Sequence, residues 1–521
     1  CGNAQMGPEY RWQLKDDLSF LMRDFLGTHQ WKMGFDYSLI PFEGDNTGSP
    51  LGSWTFPRDT PYNAADPTTY PTQFTNSLPT YADIPTTTYA VYLQDDWEIG
   101  TGMTINLGLR YDRQLGSFNE DVPDLLSRIQ DKLGRDGAFP LDVGVVQRPG
   151  SRGDRNNFGP RVGVAWDPFG RGHTNFHAGY GMFYDNMRTL VNFGELTWPQ
   201  AKSIVINSPR FPDPYGGLPR ETFFSIGTPN VTLERNDTVN AYAHQGNVGV
   251  NHTIGNQFAV SADVMIVNRF SDRDTVDVNL PDQTTRVKPY PQFGRVSVWQ
   301  STADNTYRAL LLKVEKRMTS RYQFLVSYTL SQAKDNNIVN SLADRYGYFK
   351  IERYGSADRR HRLVTSGIVR LPADVQLSAI GDFRSSLPFS PTTSLDLNND
   401  GYTGDLPAGI RPASGCRGLD LGLVNTFRRS RNLTEVTVVD CPTFANVDLR
   451  ASKFFQLGRY RIEAIAQLFN VFDRANFNTS SGNLTAANDT NGRPLFGQPA
   501  NLSPNINAPA RQGEFAIRIQ F

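Results

Sequence analysis

The chain has 521 residues with 52 basic and 52 acidic side chains, a formal charge of zero, 39% hydrophobic residues and a mean hydropathy of -0.44. Zero net charge leaves no overall positive field to draw in nucleic acid, and no run approaches the roughly 18 consecutive apolar residues of a membrane-spanning helix. A β-barrel escapes that second exclusion, because its strands alternate lipid-facing and lumen-facing residues and average to an ordinary hydropathy.

In chain order, the predicted elements are strands that come in pairs. The first is residues 9–22. Residues 103–112 put Met103, Ile105, Leu107, Leu109 and Tyr111 on one face and Thr104, Asn106, Gly108, Arg110 and Asp112 on the other, a strict period of two. The same alternation runs through residues 322–330, where Tyr322, Phe324, Val326, Tyr328 and Leu330 share a face, and through 460–468, where Arg461, Glu463 and Gln467 take the polar side. It closes the chain at 514–521, with Phe515, Ile517, Ile519 and Phe521 set against Glu514, Ala516, Arg518 and Gln520. No comparable helical period competes with it.

The connections alternate as well. Tight links fall near residues 100–102, 168–172, 254–255, 319–320, 372–373 and 457–458. Between the pairs lie stretches rich in Pro, Gly, Asn and Asp at 43–85, 116–156, 186–239, 271–294, 336–358, 391–442 and 473–513. Short periplasmic turns alternating with long extracellular loops are the pattern of an outer-membrane barrel, and such loops would be out of place in a compact soluble domain. Segment 295–301 reads either as the end of its preceding loop or as a broken extension of the strand at 307–317.

The fold class is therefore all-β, an antiparallel transmembrane β-barrel with about fifteen main strands over residues 1–521. The last strand follows a long loop and so runs inward from the outside. Alternating directions make the first strand run the same way, which requires an odd count. Single-chain bacterial barrels close with an even number, so at least one strand is expected beyond these residues. An export signal is expected there too, since residues 1–10 have neither a basic start nor an apolar core.

Candidate chemistry is sparse. The six histidines, His29, His173, His177, His244, His252 and His361, are scattered over different strands, and His173 and His177 lie on a turn and a strand rather than one helical face that could hold zinc. Gly179 and Gly181 lack the third glycine and following helix of a phosphate loop and fit close strand packing. No convergent nucleophile or acid/base set points to an enzyme. The strongest local signal is DLNNDGYTGD, in which Asp396, Asn398, Asp400 and Asp405 offer hard oxygens around Gly401, as in a calcium loop. Position twelve of that loop is Pro407, not an acid, so a looser Ca2+ site stands beside a plain Asx-turn loop. Of the cysteines Cys1, Cys416 and Cys441, the last two share a loop and are expected to pair in an oxidising compartment. Arg110, Asp112, Asp448, Arg450, Arg461, Glu463, Glu514 and Arg518 are expected inside the barrel, as a solute path or as wall-bracing pairs. The loop aromatics Trp54, Tyr62, Tyr70, Trp198, Tyr215 and Tyr346 could stack on a solute or pack loops together.

Several phrases resemble TonB-dependent receptors, in particular the Oar-like branch with a carboxypeptidase-regulatory-like domain. These are YAVYLQDDW at 89–97 with INLGLRY at 105–111, NFGPRVGVAWDPF at 157–169, AGYGMFYD at 178–185, 309–317 with 324–331, DRRHR at 358–362 and LFNVFDRANF at 468–477. The resemblance implies a barrel of twenty-two strands, of which these fifteen would be the eighth to the last, preceded by a plug and a TonB-contacting segment. It implies outer-membrane transport of a bulky solute of the siderophore, oligosaccharide or peptide class, driven through the TonB complex. A passive porin or structural surface barrel is the alternative. The implied partners are the lipid bilayer, lipopolysaccharide and, through the terminal Phe521, the barrel-assembly machinery.

Overall fold

The computed structural model describes residues 4–5, 10–47, 51–77, 80–119, 152–186, 189–197, 203–225, 230–282, 284–291, 293–319, 321–336, 353–502 and 510–521. Fifteen long strands form one antiparallel sheet: β1 (Trp12–Met22), β2 (Thr28–Ile40), β3 (Thr86–Ile99), β4 (Met103–Leu115), β5 (Phe158–Trp166), β6 (Thr174–Tyr184), β7 (Tyr242–Ile254), β8 (Phe258–Asp277), β9 (Val296–Thr319), β10 (Tyr322–Asp335), β11 (His361–Leu371), β12 (Val375–Arg384), β13 (Phe444–Leu457), β14 (Tyr460–Phe469) and β15 (Gln512–Gln520). Each pairs with its sequence neighbour from β1 through β15. Among the described residues no ladder joins β15 to β1, and both strands carry exposed side chains along almost their whole length.

The register turns the sequence alternation into two faces. Leu107 lies opposite Val162 and Asp95, and Val248 opposite Val264 and Ala178. The outward residues Leu107, Leu109, Val162, Val248, Val264 and Leu312 are 39–58% exposed, an apolar band too large for a surface in water and suited to lipid. Aromatic rings rim this band at both ends. The extracellular rim includes Tyr111–Phe158 (4.7 Å between rings), Tyr184–Tyr242 (5.9 Å) and Tyr242–Phe270 (5.5 Å). The periplasmic rim includes Phe20–Trp31 (6.4 Å), Trp166–Phe176 (6.2 Å) and Phe258–Phe324 (6.4 Å). Phe158 and Trp166 mark both rims on one strand, about 26 Å apart at roughly 3.3 Å per residue.

The structure resolves all of the ambiguous segment 295–301 except its first residue as part of β9, a 24-residue strand paired with the 20-residue β8. Both exceed the roughly 9–11 residues needed to cross a bilayer, so they project outward as a hairpin. Register shifts between Arg269 and Arg273 mark a bulge in this extension.

The long connections are not featureless. Among the described residues they contain two α-helices that the sequence pattern did not predict, α1 (Thr189–Thr197) and α2 (Leu421–Arg429), together with small accessory sheets. Asp420 caps α2 by accepting from the amides of Gly422 and Leu423, while Arg428 and Arg429 sit at its negative C-terminal end. Among the described residues, two hydrophobic cores lie in these loops. One joins Phe42, Ala82, Ile84, Phe193, Leu196, Leu233 and Phe293 to Val296 and Val298 of the β9 extension. The other joins Phe389, Ile410 and Val424 to Val436, Leu484 and Phe496. The wall turns its apolar side chains to lipid, so the parts with a water-excluded protein core are the extracellular ones.

Candidate functional site

Two surfaces can meet a solute, the lumen face of the wall and the loop cap above it. On the lumen face the predicted inward charges are mostly bound to one another. Arg110 pairs with Asp112 at 2.9 Å, Arg450 with Glu463 at 2.7 Å, and Arg518 with Glu463 at 3.5 Å, while Gln467 donates to Glu514 at 2.7 Å. Asp448 accepts from Asn446 at 3.0 Å and from the amide of Asn470 at 2.9 Å, and Arg461 lies over the ring of Phe454 at 4.6 Å. These partners brace neighbouring strands in a wet interior. Around Asp448, Arg450, Arg461 and Glu463 they still line a concavity of about 570 Å³.

His177 pairs with Asp263 at 2.6 Å across the intervening β7 and not with His173. The crossing is feasible because β7 has Gly249 between them, where a Cβ would stand 2.1 Å from the Asp263 carboxylate and 2.6 Å from the imidazole. Near the periplasmic end His29 Nδ1 meets Asp95 at 2.7 Å and its Nε2 meets the carbonyl of Phe25 at 2.9 Å, with Trp97 stacked at 5.3 Å. Both ring nitrogens are thus engaged by oxygen partners, which fixes the His29 ring among its aromatic neighbours.

The cap is anchored by a buried ionic cluster that nothing in the sequence singled out. Arg152 donates to Glu195 of α1 through two nitrogens at 2.6 and 2.9 Å, with both side chains 1% exposed. Glu195 also accepts from Asn119 at 2.9 Å and from the amide of Glu234 at 3.0 Å. Glu234 in turn pairs with Arg273 of the β8 extension. Burial pushes the Glu234 carboxyl up to about 7, against the pull of the neighbouring guanidinium groups. On the other side Arg428, fully buried, donates to the carbonyls of Thr434 at 2.6 Å and Leu484 at 2.7 Å and fastens α2 to the loop before β15. Charged loop residues ordinarily read as solvated, so only the fold distinguishes these.

In the DLNNDGYTGD segment the carboxylates serve the backbone. Asp396 accepts from the amides of Asp400 and Gly401 at 3.0 Å each, Asp400 from Tyr402 at 2.8 Å, and Asp405 from Asn398 at 3.1 Å. Asn398 both donates to Asp400 and accepts from its amide, and Arg286 lies 3.5 Å from Asp396. Among the described residues no three His, Cys, Asp or Glu side chains are grouped as metal ligands. Burial, with the charges of Asp400 and Asp396 beside it, raises the Asp405 carboxyl above its usual range. The same loop is pinned to the β8–β9 hairpin by Tyr402, which donates to Asp277 and accepts from Arg295 at 3.1 Å. Burial and that hydrogen bond hold the Tyr402 phenol up to about 12.

Cys416 and Cys441 form a disulfide that spans 25 residues, and Cys416 packs against the second loop core. Neither thiol should alkylate without reductant in the exported protein. Replacing both with serine should cost the loop about 3–4 kcal/mol, seen as faster cleavage of residues 385–443 by added protease. Full alkylation without reductant would refute the bridge.

Of the predicted aromatics, Trp54, Tyr62, Tyr70 and Tyr215 come together. With Phe56, Phe74, Phe211 and Phe223 they form a chain of ring contacts at 4.7–5.8 Å linking the loop before β3 to the loop before β7. Trp198 and Tyr346 lie outside the described residues.

The family model described as outer membrane beta barrel domain matches residues 1–513. The chain belongs to that family. This outer membrane barrel is 26% identical over 193 residues to the TonB-dependent transporter Oar of Myxococcus xanthus, a match covering 34% of this chain and 15% of Oar. Its fold is similar to that of the outer membrane transporter YddB from Escherichia coli (TM-score 0.58, 12% identity, 97% of this chain and 53% of that one). It is also similar to that of the pyoverdine outer membrane receptor FpvA from Pseudomonas aeruginosa PAO1 (TM-score 0.52, 11% identity, 100% and 54%). The barrel thus spans about half the length of these structures. It resides in the outer membrane, and the proteins it resembles are transporters and receptors, not enzymes.

Proposed function

We propose that this barrel is the wall and extracellular cap of a TonB-coupled transporter for a bulky solute of the siderophore, oligosaccharide or peptide class. The observation that carries the proposal is the cap itself. Its loops hold two buried hydrophobic cores, a buried Arg152–Glu195 pair and a disulfide above a wall with a polar inner face. Such ordering suits a shaped capture surface better than the open mouth of a passive pore. The similarity to Oar and to the YddB fold supports the same reading.

The test uses the full-length receptor in its own cell. Growth on, or uptake of, labelled ferric chelates, oligosaccharides and peptides is compared between cells with and without the receptor, and with and without an energised inner membrane. Energy-dependent uptake of one class is expected. Diffusion of small sugars into vesicles containing the receptor, indifferent to energisation, would replace the proposal with a passive porin.

A further inference from the structure

We propose that the periplasmic rim from β9 to β14 binds the headgroups of anionic phospholipids in the periplasmic leaflet, whatever solute the barrel carries. The turns there and the strand ends beside them, residues 316–322, 369–375 and 453–460, hold six cations, Lys316, Arg317, Arg321, Arg370, Lys453 and Arg459, and one acid, Asp374. The four periplasmic turns from β1 to β8, residues 22–29, 97–104, 166–174 and 252–258, hold two cations, Arg23 and Arg171, and three acids, Asp24, Glu98 and Asp167. Six against one leaves +5 on one side of the rim, and two against three leaves −1 on the other. The basic side is a continuous arc, because the amide of Arg370 donates to the carbonyl of Arg321 at 2.7 Å and that of Phe454 to the carbonyl of Asp374 at 3.0 Å.

Three of these cations rest on rings that face lipid. Lys316 lies opposite Phe258 and Phe324, the pair at the periplasmic end of the apolar band, and its Nζ stands 3.7 Å from the centre of the Tyr322 ring and 5.9 Å from that of Phe258. Lys453 lies two residues before Phe455 on the same outward face, with its Nζ 5.4 Å from that ring. The Arg459 guanidinium sits 5.2 Å from the Tyr460 ring and donates to the Tyr460 hydroxyl at 3.1 Å. Tyr322, Phe455 and Tyr460 are 46%, 50% and 38% exposed. Interfacial aromatics of this kind lie at headgroup level, so a cation on such a ring stands beside the lipid phosphates.

The charge of the arc is uncompensated. None of its six cations makes an ion pair among the described residues, and the acids on neighbouring wall positions are engaged, Glu315 by Lys313 at 2.9 Å and Glu463 by Arg450 at 2.7 Å. The Lys316 ammonium is 3% exposed and donates only to neutral oxygens, the Thr319 hydroxyl at 2.8 Å, and the Tyr322 carbonyl at 3.1 Å. Lys453 likewise donates to the Ala373 carbonyl. Arg317, Arg321, Arg370 and Arg459 are exposed and open to a ligand, while the enclosed Lys316 adds its field. Arg321 and Arg370 are neighbours across β10 and β11, and an anionic phosphate at the rim offsets their repulsion with charge-assisted hydrogen bonds. An acidic peptide carries the same sign of charge, but the seating of Lys316, Lys453 and Arg459 on lipid-facing rings favours a lipid.

The experiment titrates the full-length receptor, in nonionic detergent at low salt, with short-chain phosphatidylglycerol and separately with short-chain phosphatidylcholine, and counts bound lipid by native mass spectrometry. Phosphatidylglycerol should bind about ten-fold more tightly. Salt at about 0.5 M, where the screening length is roughly 4 Å, should remove most of that difference. Lys453→Gln and Arg459→Gln should each weaken phosphatidylglycerol about five-fold, the contribution of one cation at a membrane surface, and Lys453→Arg should not. Arg171→Gln, on the opposite half of the rim, should leave binding unchanged. Heat-modifiability confirms that each variant is folded, and Arg321→Gln, on a turn outside the ladders, replaces either glutamine variant that is not. Equal affinity for the two lipids, or unchanged phosphatidylglycerol binding when Lys453→Gln and Arg459→Gln are combined, overturns the proposal. Binding of poly-glutamate without binding of phosphatidylglycerol overturns it too and assigns the arc to a protein partner.

Discussion

Replacing Arg152 with methionine should destabilise the extracellular cap by about 3–5 kcal/mol, the cost of leaving a buried charge without its partner. Glu195 would remain 1% exposed, keeping the hydrogen bonds from the Asn119 side chain and the Glu234 backbone but losing its guanidinium partner. The change should appear as faster hydrogen exchange in α1 and in residues 231–234, with the wall strands unaffected. Arg152→Met combined with Glu195→Leu should recover most of the loss, because a matched apolar pair removes both desolvation penalties. Equal exchange in the single variant and the wild type would show that the pair does not hold the cap.

The same cluster gives the cap a pH dependence whose sign follows from Glu234. Its carboxyl is raised from an ordinary 4.5 to about 7, so the folded cap binds more protons than the unfolded one between those values. The stability it contributes is present below pH 4.5 and is lost as pH rises through 7. Exchange protection of residues 231–234 should therefore fall by roughly 1 kcal/mol between pH 6 and pH 8. Glu234→Gln should flatten that slope, and an equal slope in this variant would assign it to another group.

Leu107→Arg should block assembly of the full-length barrel, while Asn106→Arg should leave a folded, heat-modifiable protein. Leu107 is 44% exposed on the apolar band, where an arginine at mid-membrane costs about 2–4 kcal/mol. Asn106 is one residue away and points into the lumen, where water and Asp96 can receive the new charge. Electrophoretic mobility with and without boiling reads the difference. Equal yields of the folded form would mean that the face assignment of β4 is reversed.

How far the sequence could be read follows from the range over which each signal acts. Side-chain alternation is local, so residues 103–112, 322–330, 460–468 and 514–521 reveal their faces with no knowledge of their neighbours. Turn chemistry is local too: the short link at 100–102 stands where the sequence places it, and the one expected at 457–458 lies one residue later, at 458–459. The segment 295–301 was ambiguous because Val296 and Val298 are buried by the loop core and not by lipid, so its pattern differs from that of a membrane strand.

The amino-acid sequence by itself determined the all-β class, the count of about fifteen strands, the faces of the strands at 103–112, 322–330, 460–468 and 514–521 and the pairing-competent cysteines, all of which depend on period, turn residues or proximity along the chain. Only the tertiary structure decided the cap. Arg152, Glu195 and Arg273 come from three segments far apart in sequence, and Arg428 meets Leu484 across 56 residues. A charged side chain is recognisable as structural only when water is excluded around it. That exclusion arises from loops folding onto one another, which no local pattern encodes.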